Sequence, residues 1–457
     1  MSQLKISELC LKDYRCFSEL SIDFHPEVTV LVAANGAGKT SILDAVAVAL
    51  GPYVGAFDEA NGKHFLASDI RLFPARATQS IEMEHSRDGV CLVAKGCISV
   101  SGEGSSELLE IEWRRSLSGP TKTKTTVKDA KVLVAYGKRL QSAARTPEQA
   151  VLLPLVAYYG TGRLWQQKKL TVSKRLPRRS RTVGYTDCLD SASSYKSFVA
   201  WFRYWTSSAL EEVSSALMSG TDAQDSEFNG YLRSVSAAVN VCIEPVGWKD
   251  IVFSIARDAL VVRHESHGVL PVEMLSDGIR NMIGLVADIA FRATKLNGHL
   301  GEKAAASTPG IVLIDEVDMH LHPAWQQTVL ASLRRAFPEM QFIVTTHSPQ
   351  VLSSVENESI RVLEEDDLGM TRVVIPQAET YGNHSGEVLE VVMQVDQQPP
   401  VPERVQLNEL TELVDKGNYD SDAAEALLID LRLRLGESHP QLRRIERSVE
   451  RQRLLKG

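Results

Sequence analysis

Residues near the start of the chain have the types and spacing needed to bind phosphate. A glycine-rich loop follows a buried-strand pattern, Val28–Ala33, and precedes an apolar helical pattern, Ser41–Leu50. The loop consists of Asn35, Gly36, Ala37, Gly38, Lys39, Thr40 and Ser41. A loop of this kind between a strand and a helix is a P-loop, whose backbone N–H groups and helix N-terminus face nucleotide phosphates. We expect Lys39 to reach the β- and γ-phosphates and the Thr40 hydroxyl to bind Mg²⁺.

One position departs from the P-loop pattern, because Ala33 stands where a glycine is expected. Alanine can serve there if its φ angle stays negative, so we expect a changed loop shape with phosphate binding retained. The alternative is a glycine-rich turn with a purely structural role. The order of the later motifs favours nucleotide binding.

Two carboxylates and a histidine follow later strand patterns. Asp315 and Glu316 come directly after the apolar run Ile311–Ile314, and His347 follows Phe342–Val344. Parallel strands end at one edge of a sheet, so these side chains are expected beside the P-loop. We expect Asp315 to hold Mg²⁺ through water, Glu316 to polarise the attacking water as a general base, and His347 to contact the γ-phosphate. A histidine that follows a strand without such companions is more often structural.

A short motif between the P-loop and these carboxylates, Leu275–Gly278, opens a helical pattern over Ser276–Leu296. It matches the L-S-x-G signature of ABC ATPases, and its position in the motif order supports the match. In ABC geometry the helix start, here Ser276, Asp277 and Gly278, binds the γ-phosphate held by the opposite subunit. ATP would therefore close a dimer, and hydrolysis or release would open it.

With these motifs in place, the chain resembles the ABC-type AAA ATPases that include SMC-like heads and the overcoming-lysogenisation-defect group. The turn Asp13–Phe17 resembles their "xNFRSF" turn, which implies that Arg15 reaches the nucleotide phosphates. The stretch Asp315–Pro323 resembles their extended "DEPExxLHP" element. The resemblance implies an α/β fold, an ABC-type P-loop NTPase with a mixed sheet, an antiparallel β subdomain, a helical insertion and a C-terminal helical extension.

Three further segments make the chain similar to a bacterial group often labelled virulence-associated ATP-binding proteins, which includes PtuA of Septu and of some retron anti-phage systems. The segments are Tyr158–Trp165, Phe198–Arg203 and Thr380–Gly382. This resemblance implies ATP and Mg²⁺ as cofactors, a homodimer or higher homo-oligomer, and a separate HNH nuclease (PtuB-like) that cuts DNA. A reverse transcriptase and its DNA product would be further partners if the chain is retron-encoded. No nuclease motif is found, and we interpret the acidic run Glu364–Asp367 as a solvated turn.

The patterns predict four segments along the chain. Residues 1–160 form an N-terminal lobe with the P-loop and antiparallel strands, 161–245 a basic loop and helical insertion, 246–398 a C-terminal lobe, and 399–457 a helical tail. The amphipathic tail is expected to serve oligomerisation or nuclease docking.

Individual elements are also predicted from local patterns. Antiparallel strands are expected over Gln79–Val134, and the helix after the P-loop is expected to end at Gly51 and Pro52, a typical stop signal. The aromatic residues between 198 and 205 are expected to form the core of the helical insertion rather than a surface that stacks on bases.

Composition limits the partners. The net charge is -8 and the pI is about 5.8, so nucleic acid would need a local basic patch. The run Arg163–Arg181 has eight Lys or Arg and no acid; it could bind nucleic acid, contact another subunit or be solvated. Within it, Gln166 or Gln167 could act as a Q-loop that senses Mg²⁺. The six cysteines lack zinc spacing, and no apolar run approaches the ~20 residues of a membrane span, which predicts a cytoplasmic protein.

Three functions are therefore in competition. The first is a defence ATPase that regulates a separate nuclease. The second is an SMC-like DNA-repair ATPase, which is disfavoured because no long heptad repeat separates the P-loop from the signature. The third is a nucleotide-dependent scaffold that holds a toxin effector with little turnover.

Overall fold

The computed structural model describes residues 3–58, 60–74, 83–101, 106–119, 125–146, 150–163, 180–191, 195–219, 226–366, 369–396 and 400–456. The chain separates into two compact units, Met1–Met393 and Gln394–Gly457. In this described part of the chain, no helix has the length and apolarity that crossing a bilayer requires.

The strands and helices of the described residues are numbered in chain order. The strands are β1 (Leu4–Tyr14), β2 (Phe17–Asp23), β3 (Val28–Val32), β4 (Leu72–Pro74), β5 (Met83–His85), β6 (Val90–Ser101), β7 (Ser106–Leu117), β8 (Leu155–Tyr159), β9 (Trp248–Ser254), β10 (Ala259–His264), β11 (Gly268–Pro271), β12 (Gly310–Ile314), β13 (Met340–Thr345), β14 (Ile360–Glu365) and β15 (Thr371–Val374). The helices are α1 (Lys39–Val54), α2 (Lys131–Ala144), α3 (Tyr195–Ser219), α4 (Glu227–Ile243), α5 (Asp277–Leu296), α6 (Ala304–Ser307), α7 (Pro323–Gln326), α8 (Val329–Ala336), α9 (Pro349–Leu352), α10 (Ser385–Val391), α11 (Arg404–Asp415), α12 (Asp422–Leu435) and α13 (Pro440–Lys456).

A mixed six-stranded sheet forms the centre of the first unit, in the order β15-β14-β3-β13-β12-β8. Strands β14, β3, β13, β12 and β8 run parallel, and β15 is antiparallel to β14. Every residue of β3, β8, β12 and β13 is buried, as expected for parallel strands covered on both faces. The parallel strands predicted over Ile311–Ile314 and Phe342–Val344 are confirmed. Because these strands share one direction, the residues that follow β3, β13, β12 and β8 lie along the same edge.

A second, antiparallel sheet has the order β2-β1-β6-β7. Its presence confirms the antiparallel strands predicted in the N-terminal part and the α/β class with a mixed sheet. The prediction was wrong at the end of that region, where Lys131–Ala144 is helix α2. Residues with helical spacing, such as Leu133, Tyr136 and Leu140, bury one face of α2.

Helix α1 continues through the predicted stop and ends at Val54, with Pro52 inside it. Proline lacks the N–H that would bond the carbonyl four residues earlier, that of Val48. The buried Arg115 side chain of β7 supplies the missing donor, because its Nη1 donates to the Val48 oxygen at 2.6 Å. The Trp113 indole Nε1 donates to the next carbonyl oxygen, that of Ala49, at 2.9 Å. Tertiary donors therefore compensate the helix for its proline.

Helices α3 and α4 form the predicted helical insertion, and a small antiparallel sheet, β11-β10-β9, follows them. Phe198, Phe202 and Trp205 of α3 are buried, and the Trp205 ring lies 5.5 Å from that of Phe291 on α5. This burial favours the interpretation of these aromatic residues as core. Strands β9 and β10 of this small sheet are antiparallel neighbours.

The second unit consists of α11, α12 and α13, which confirms the predicted helical character of the C-terminal segment. It has an apolar core of its own. That core is formed by Leu407, Leu410, Val414, Ala424, Leu431, Leu442 and Ile445.

Candidate functional site

The P-loop connects the end of β3 to the start of α1. Gly36 and Gly38 have φ angles of 81° and 96°, a region that glycine enters without steric cost. Ala33, in contrast, is outside the positive-φ region, so the alanine that departs from the motif is tolerated by the backbone. Gly38 also packs against the β1–β2 turn, since a Cβ at this position would lie 2.8 Å from Cys16 Sγ and closer still to the Phe17 ring. The P-loop is thus supported by residues far away in the sequence.

The Lys39 ammonium is folded into the loop that precedes it. Its Nζ donates to the carbonyl oxygens of Ala33 at 2.8 Å and Ala34 at 3.1 Å. Burial lowers the pKa of Lys39, and the charges of Asp315 and Glu316 oppose that shift. A cation held by neutral carbonyls at the centre of the loop is suited to an anionic ligand that would compensate its desolvation.

The carboxylates that follow β12 are joined to the P-loop by hydrogen bonds. The Thr40 hydroxyl donates to Asp315 Oδ2 at 2.8 Å, and the Thr345 hydroxyl donates to Asp315 Oδ1 at 2.6 Å. The Thr345 oxygen in turn accepts from the backbone N–H of Glu316 at 2.7 Å. Asp315 is buried and Glu316 half-buried. Thr345 therefore fixes both acidic residues, a role that the local sequence pattern at the end of β13 does not signal.

The Glu316 backbone is strained, with a φ angle of 50°. A non-glycine residue in the left-handed region costs about 1–3 kcal/mol, and such strain is concentrated at functional sites. The conformation turns the chain sharply at the end of β12, directly after the buried Asp315. It supports the hypothesis that the Glu316 side chain is positioned for chemistry.

The donor set fits a magnesium ion. The Thr40 hydroxyl and the Asp315 carboxylate are hard oxygen donors one hydrogen bond apart, and Mg²⁺ prefers such ligands. Gln166, the further candidate for sensing the metal, lies outside the described residues, as does Gln167.

His347 follows β13, which lies between the P-loop strand and the strand that leads to Asp315. The residue is half-buried. The next residue, Ser348, caps helix α9 by accepting from the N–H groups of Gln350 and Val351. Strand order and cap together place His347 at the predicted edge of the sheet.

Arg15 lies in the turn between β1 and β2, with a positive φ of 49°. Its Nε donates to Asp69 Oδ1 at 2.8 Å and its Nη1 to Asp44 Oδ2 at 2.8 Å. A longer contact of 3.5 Å joins it to Ser41 Oγ in the first turn of α1. The structure therefore places Arg15 beside the P-loop helix, held by two carboxylates that the sequence did not single out.

Lys63 completes this charged cluster. Its Nζ donates to Asp44 Oδ1 at 2.5 Å and lies 4.7 Å from the centre of the Tyr158 ring. Asp44 thus holds two cations at once. Spacing gave no signal for Lys63, since 19 residues of helix and loop separate it from its partner.

The signature begins helix α5. Ser276 is the N-cap, is exposed, and makes no side-chain hydrogen bond to its own helix. Gly278 is buried against the loop that follows Glu316, where a Cβ would overlap the carbonyl oxygen of His320. The Asn281 side chain also donates to the Met319 carbonyl at 3.2 Å, and Asp277 forms an ion pair with Arg280. The signature and the loop after Glu316 therefore form one packed element.

Two further predictions concern runs of charged residues. Most of the basic run 163–181 lies outside the described residues. Its last residue, Arg181, is structural, because its guanidinium donates to the carbonyls of Leu296 at 2.8 Å and Val151 at 2.7 Å. The acidic residues Glu364 and Glu365 are the end of strand β14 rather than part of a turn.

Comparisons with known proteins show which proteins the chain resembles. Two family models, both described as AAA domains, match residues 8–217 and 209–353. The chain is 24% identical over 444 residues to a retron Vc95 probable ATPase of Vibrio cholerae, covering 88% of this chain and 81% of the relative. It is 36% identical over 183 residues to a retron Ec83 probable ATPase of Escherichia coli, covering 40% and 32%. It is 38% identical over 96 residues to the Septu protein PtuA of Bacillus mycoides, covering 21% and 13%.

The chain spans less than two thirds of the Escherichia coli and Bacillus mycoides relatives. Among solved structures, the SMC head domain from Thermotoga maritima matches 82% of this chain and 100% of its own, with 14% identity and a TM-score of 0.41. The predicted resemblance to AAA ATPases of retron and Septu defence systems is confirmed by the relatives and the family models.

Proposed function

We propose that this chain, a relative of the retron ATPases and Septu PtuA proteins, hydrolyses ATP at sites completed by a second copy of itself. The observation that carries the proposal is the hydrogen-bonded series Thr40–Asp315–Thr345–Glu316, which joins the P-loop to the carboxylates. These residues come from three separate parts of the chain, and the sheet brings them to one edge.

The P-loop would bind ATP. The backbone N–H groups at the α1 N-terminus and the Lys39 ammonium would bind the phosphates, with Lys39 exchanging carbonyl oxygens for phosphate oxygens. Thr40 and Asp315 would hold Mg²⁺, Asp315 through water. When bound, the ion would neutralise charge on the β- and γ-phosphates.

Glu316 and His347 would carry out hydrolysis. The Glu316 carboxylate would orient and polarise water for attack on the γ-phosphorus, and Thr345 keeps its backbone in place. His347 would contact the γ-phosphate from the neighbouring strand end. Arg15 would add a further cation near the first turn of α1.

The second copy would supply the signature. Ser276 is exposed with its hydroxyl unused by its own helix, so the α5 N-terminus is open to an anion. Ser276, Asp277 and Gly278 of the partner would then bind the γ-phosphate held by the P-loop. Each ATP would join two protomers, and loss of the γ-phosphate would release them.

Mixing two inactive variants tests the shared site. Lys39→Ala should lose ATP binding, and Ser276→Arg should block the signature while leaving the P-loop intact. Neither should hydrolyse ATP by itself. A mixed dimer keeps one complete site, so a 1:1 mixture should recover about one quarter of the wild-type rate if subunits pair at random. An inactive mixture of variants that still form dimers would contradict a composite site.

Trapping tests the assignment of Glu316. Glu316→Gln keeps the size and the backbone contact to Thr345 but removes the base. It should bind ATP, fail to hydrolyse it, and accumulate as a closed dimer, measured by light scattering with and without ATP. Wild-type turnover in this variant would exclude Glu316 as the base. Wild-type protein that binds ATP without turnover would instead indicate the nucleotide-dependent scaffold.

The biological role we propose is anti-phage defence, in which the nucleotide state of the assembly regulates a separate HNH nuclease. Support comes from the defence-system names of the relatives, including one matched over 88% of this chain. Co-purification with the product of a neighbouring gene, and mass measurement of the complex with and without ATP, tests this role. Nucleic-acid binding by the run 163–181 and association with a reverse transcriptase remain parts of the same proposal.

A further inference from the structure

Helix α12 of the C-terminal unit carries apolar residues on two opposite sides. Ala424 and Leu431 face the core of the unit and are buried. Ile429 and Leu433, in contrast, are 61% and 85% exposed. Packing against the core of the unit accounts for one apolar side of a helix. It does not account for the second apolar side of α12.

The exposed side forms a regular stripe. Ala426 lies three residues before Ile429, and Leu433 lies four residues after it. At 100° per residue these three positions fall within about 60° of one another, roughly opposite Leu431. Asp422, the first residue of α12, lies on the same side and ends the apolar stripe there. Single exposed leucines are common on protein surfaces, but apolar residues at spacings of three and four are the pattern of a helix that pairs with another helix.

Charges beside the stripe select the partner. Glu425 and Arg432 lie on the same flank of the stripe, one towards each end of α12. In an antiparallel pair of identical helices, Glu425 of each copy lies beside Arg432 of the other. In a parallel pair, glutamate would lie beside glutamate and arginine beside arginine. We propose that this stripe is a contact between two copies of the chain, formed by antiparallel pairing of their α12 helices about a two-fold axis.

The surroundings of Arg432 suit this role. Its Nε and Nη2 donate to Glu446 Oε1 of α13 at 3.0 and 2.6 Å, which holds the guanidinium along the flank. A prepositioned arginine loses less side-chain entropy on forming an additional ion pair. The antiparallel arrangement also opposes the two helix dipoles.

The size of the contact predicts its strength. Helix α12 has 14 residues, about 21 Å of length, so one helix pair buries less than a standard protein interface. The contact should therefore be weak and reversible in isolation. It requires no nucleotide, and it would raise the effective concentration of the protomers for any second contact between them. The inference therefore stands apart from the proposed ATP site.

The experiment is sedimentation of the full chain without nucleotide, from about 1 µM to about 1 mM. The wild-type chain should self-associate reversibly. The double variant Ile429→Ser, Leu433→Ser should weaken the dimer at least about tenfold, since two apolar side chains per copy leave the contact. The matched control is Leu454→Ser, which removes an equally exposed leucine (79%) from α13 and should leave association unchanged.

Charge reversal tests the orientation. Glu425→Arg and Arg432→Glu should each weaken self-association, because each places like charges together across an antiparallel pair. Mixing the two variants should restore part of it, since both cross-pairs are then attractive, while Arg432→Glu still loses the ion pair with Glu446. The double reversal in one chain should restore part of it for the same reason. Circular dichroism checks that each variant keeps its helix content.

A chain that stays monomeric over this range overturns the proposal, as does self-association that ignores both the stripe variants and the charge reversals. Loss of nuclease capture in the stripe variants, with self-association intact, would assign the surface to that partner and would also overturn it. None of these readouts contains ATP, so failure of the composite ATP site leaves them unchanged.

Discussion

Gly38 offers the sharpest test of how the P-loop is supported. It combines a φ angle of 96° with close packing against the β1–β2 turn. A Cβ at this position would lie 2.8 Å from Cys16 Sγ and would overlap the buried ring of Phe17. Gly38→Ala therefore incurs two separate costs, one from the backbone and one from packing.

The magnitude follows from adding these two costs. Placing alanine in the left-handed region costs about 1–2 kcal/mol. Forcing a methyl group into a packed region costs about 1–3 kcal/mol. We expect Gly38→Ala to lower the free energy of unfolding by about 2–5 kcal/mol and to weaken ATP binding, because the loop must move away from the turn.

Gly36 provides the matched control within the same loop. Its φ angle is 81°, but a Cβ there would meet nothing within 4 Å. Gly36→Ala should therefore cost only the backbone term, about 1–2 kcal/mol. The difference between the two variants isolates the contact with the β1–β2 turn.

Urea unfolding followed by tryptophan fluorescence measures both variants. All six tryptophans precede residue 393, so the fluorescence comes from side chains of the first unit. Combining Gly38→Ala with Phe17→Ala should cost less than the sum of the two single changes, because the ring that causes the overlap is gone. Equal losses for Gly36→Ala and Gly38→Ala, with additive double variants, would refute the reasoning.

Three further predictions follow from contacts in the first unit. Thr345→Val should lower kcat about 10–100-fold with little change in ATP affinity, since the bridge between Asp315 and Glu316 is lost, whereas Thr345→Ser should remain active. Gly278→Ala, introduced into the Glu316→Gln background, should weaken the ATP-bound dimer because the new Cβ overlaps the His320 carbonyl oxygen. Binding of ATP to the P-loop should be unchanged. The mass of the dimer and the affinity for ATP measure these two effects. The Lys295 Nζ lies 4.0 Å from the centre of the Trp201 ring. Burial lowers the pKa of Lys295 from 10.5 to about 8. Between pH 8 and 10.5 the unfolded chain therefore keeps a Lys295 proton that the folded chain has lost. The free energy of unfolding should rise with pH over this range, and Lys295→Met should reduce that rise.

Elements that depend on neighbouring residues could be predicted from local patterns. A P-loop, a buried run followed by two acids, and a serine that starts a helix are continuous stretches, so their local patterns specify both structure and expected chemistry. The parallel direction of the central strands then placed these stretches at one edge. That topology explains the prediction that one edge of the sheet carries the P-loop, Asp315, Glu316 and His347.

The contacts that hold these elements in place could not be predicted in the same way. Pro52 is a stop signal by local rules, yet α1 continues because Arg115, 67 residues from Val48, supplies the lost donor. Asp44 and Asp69 hold Arg15 across 29 and 54 residues, and Thr345 reaches Asp315 across 30. Hydrogen bonds and packing between distant residues leave no periodic pattern in the chain, because their geometry exists only after the strands have assembled. For that reason the sequence predicted which groups would act, and the fold alone showed which residues position them.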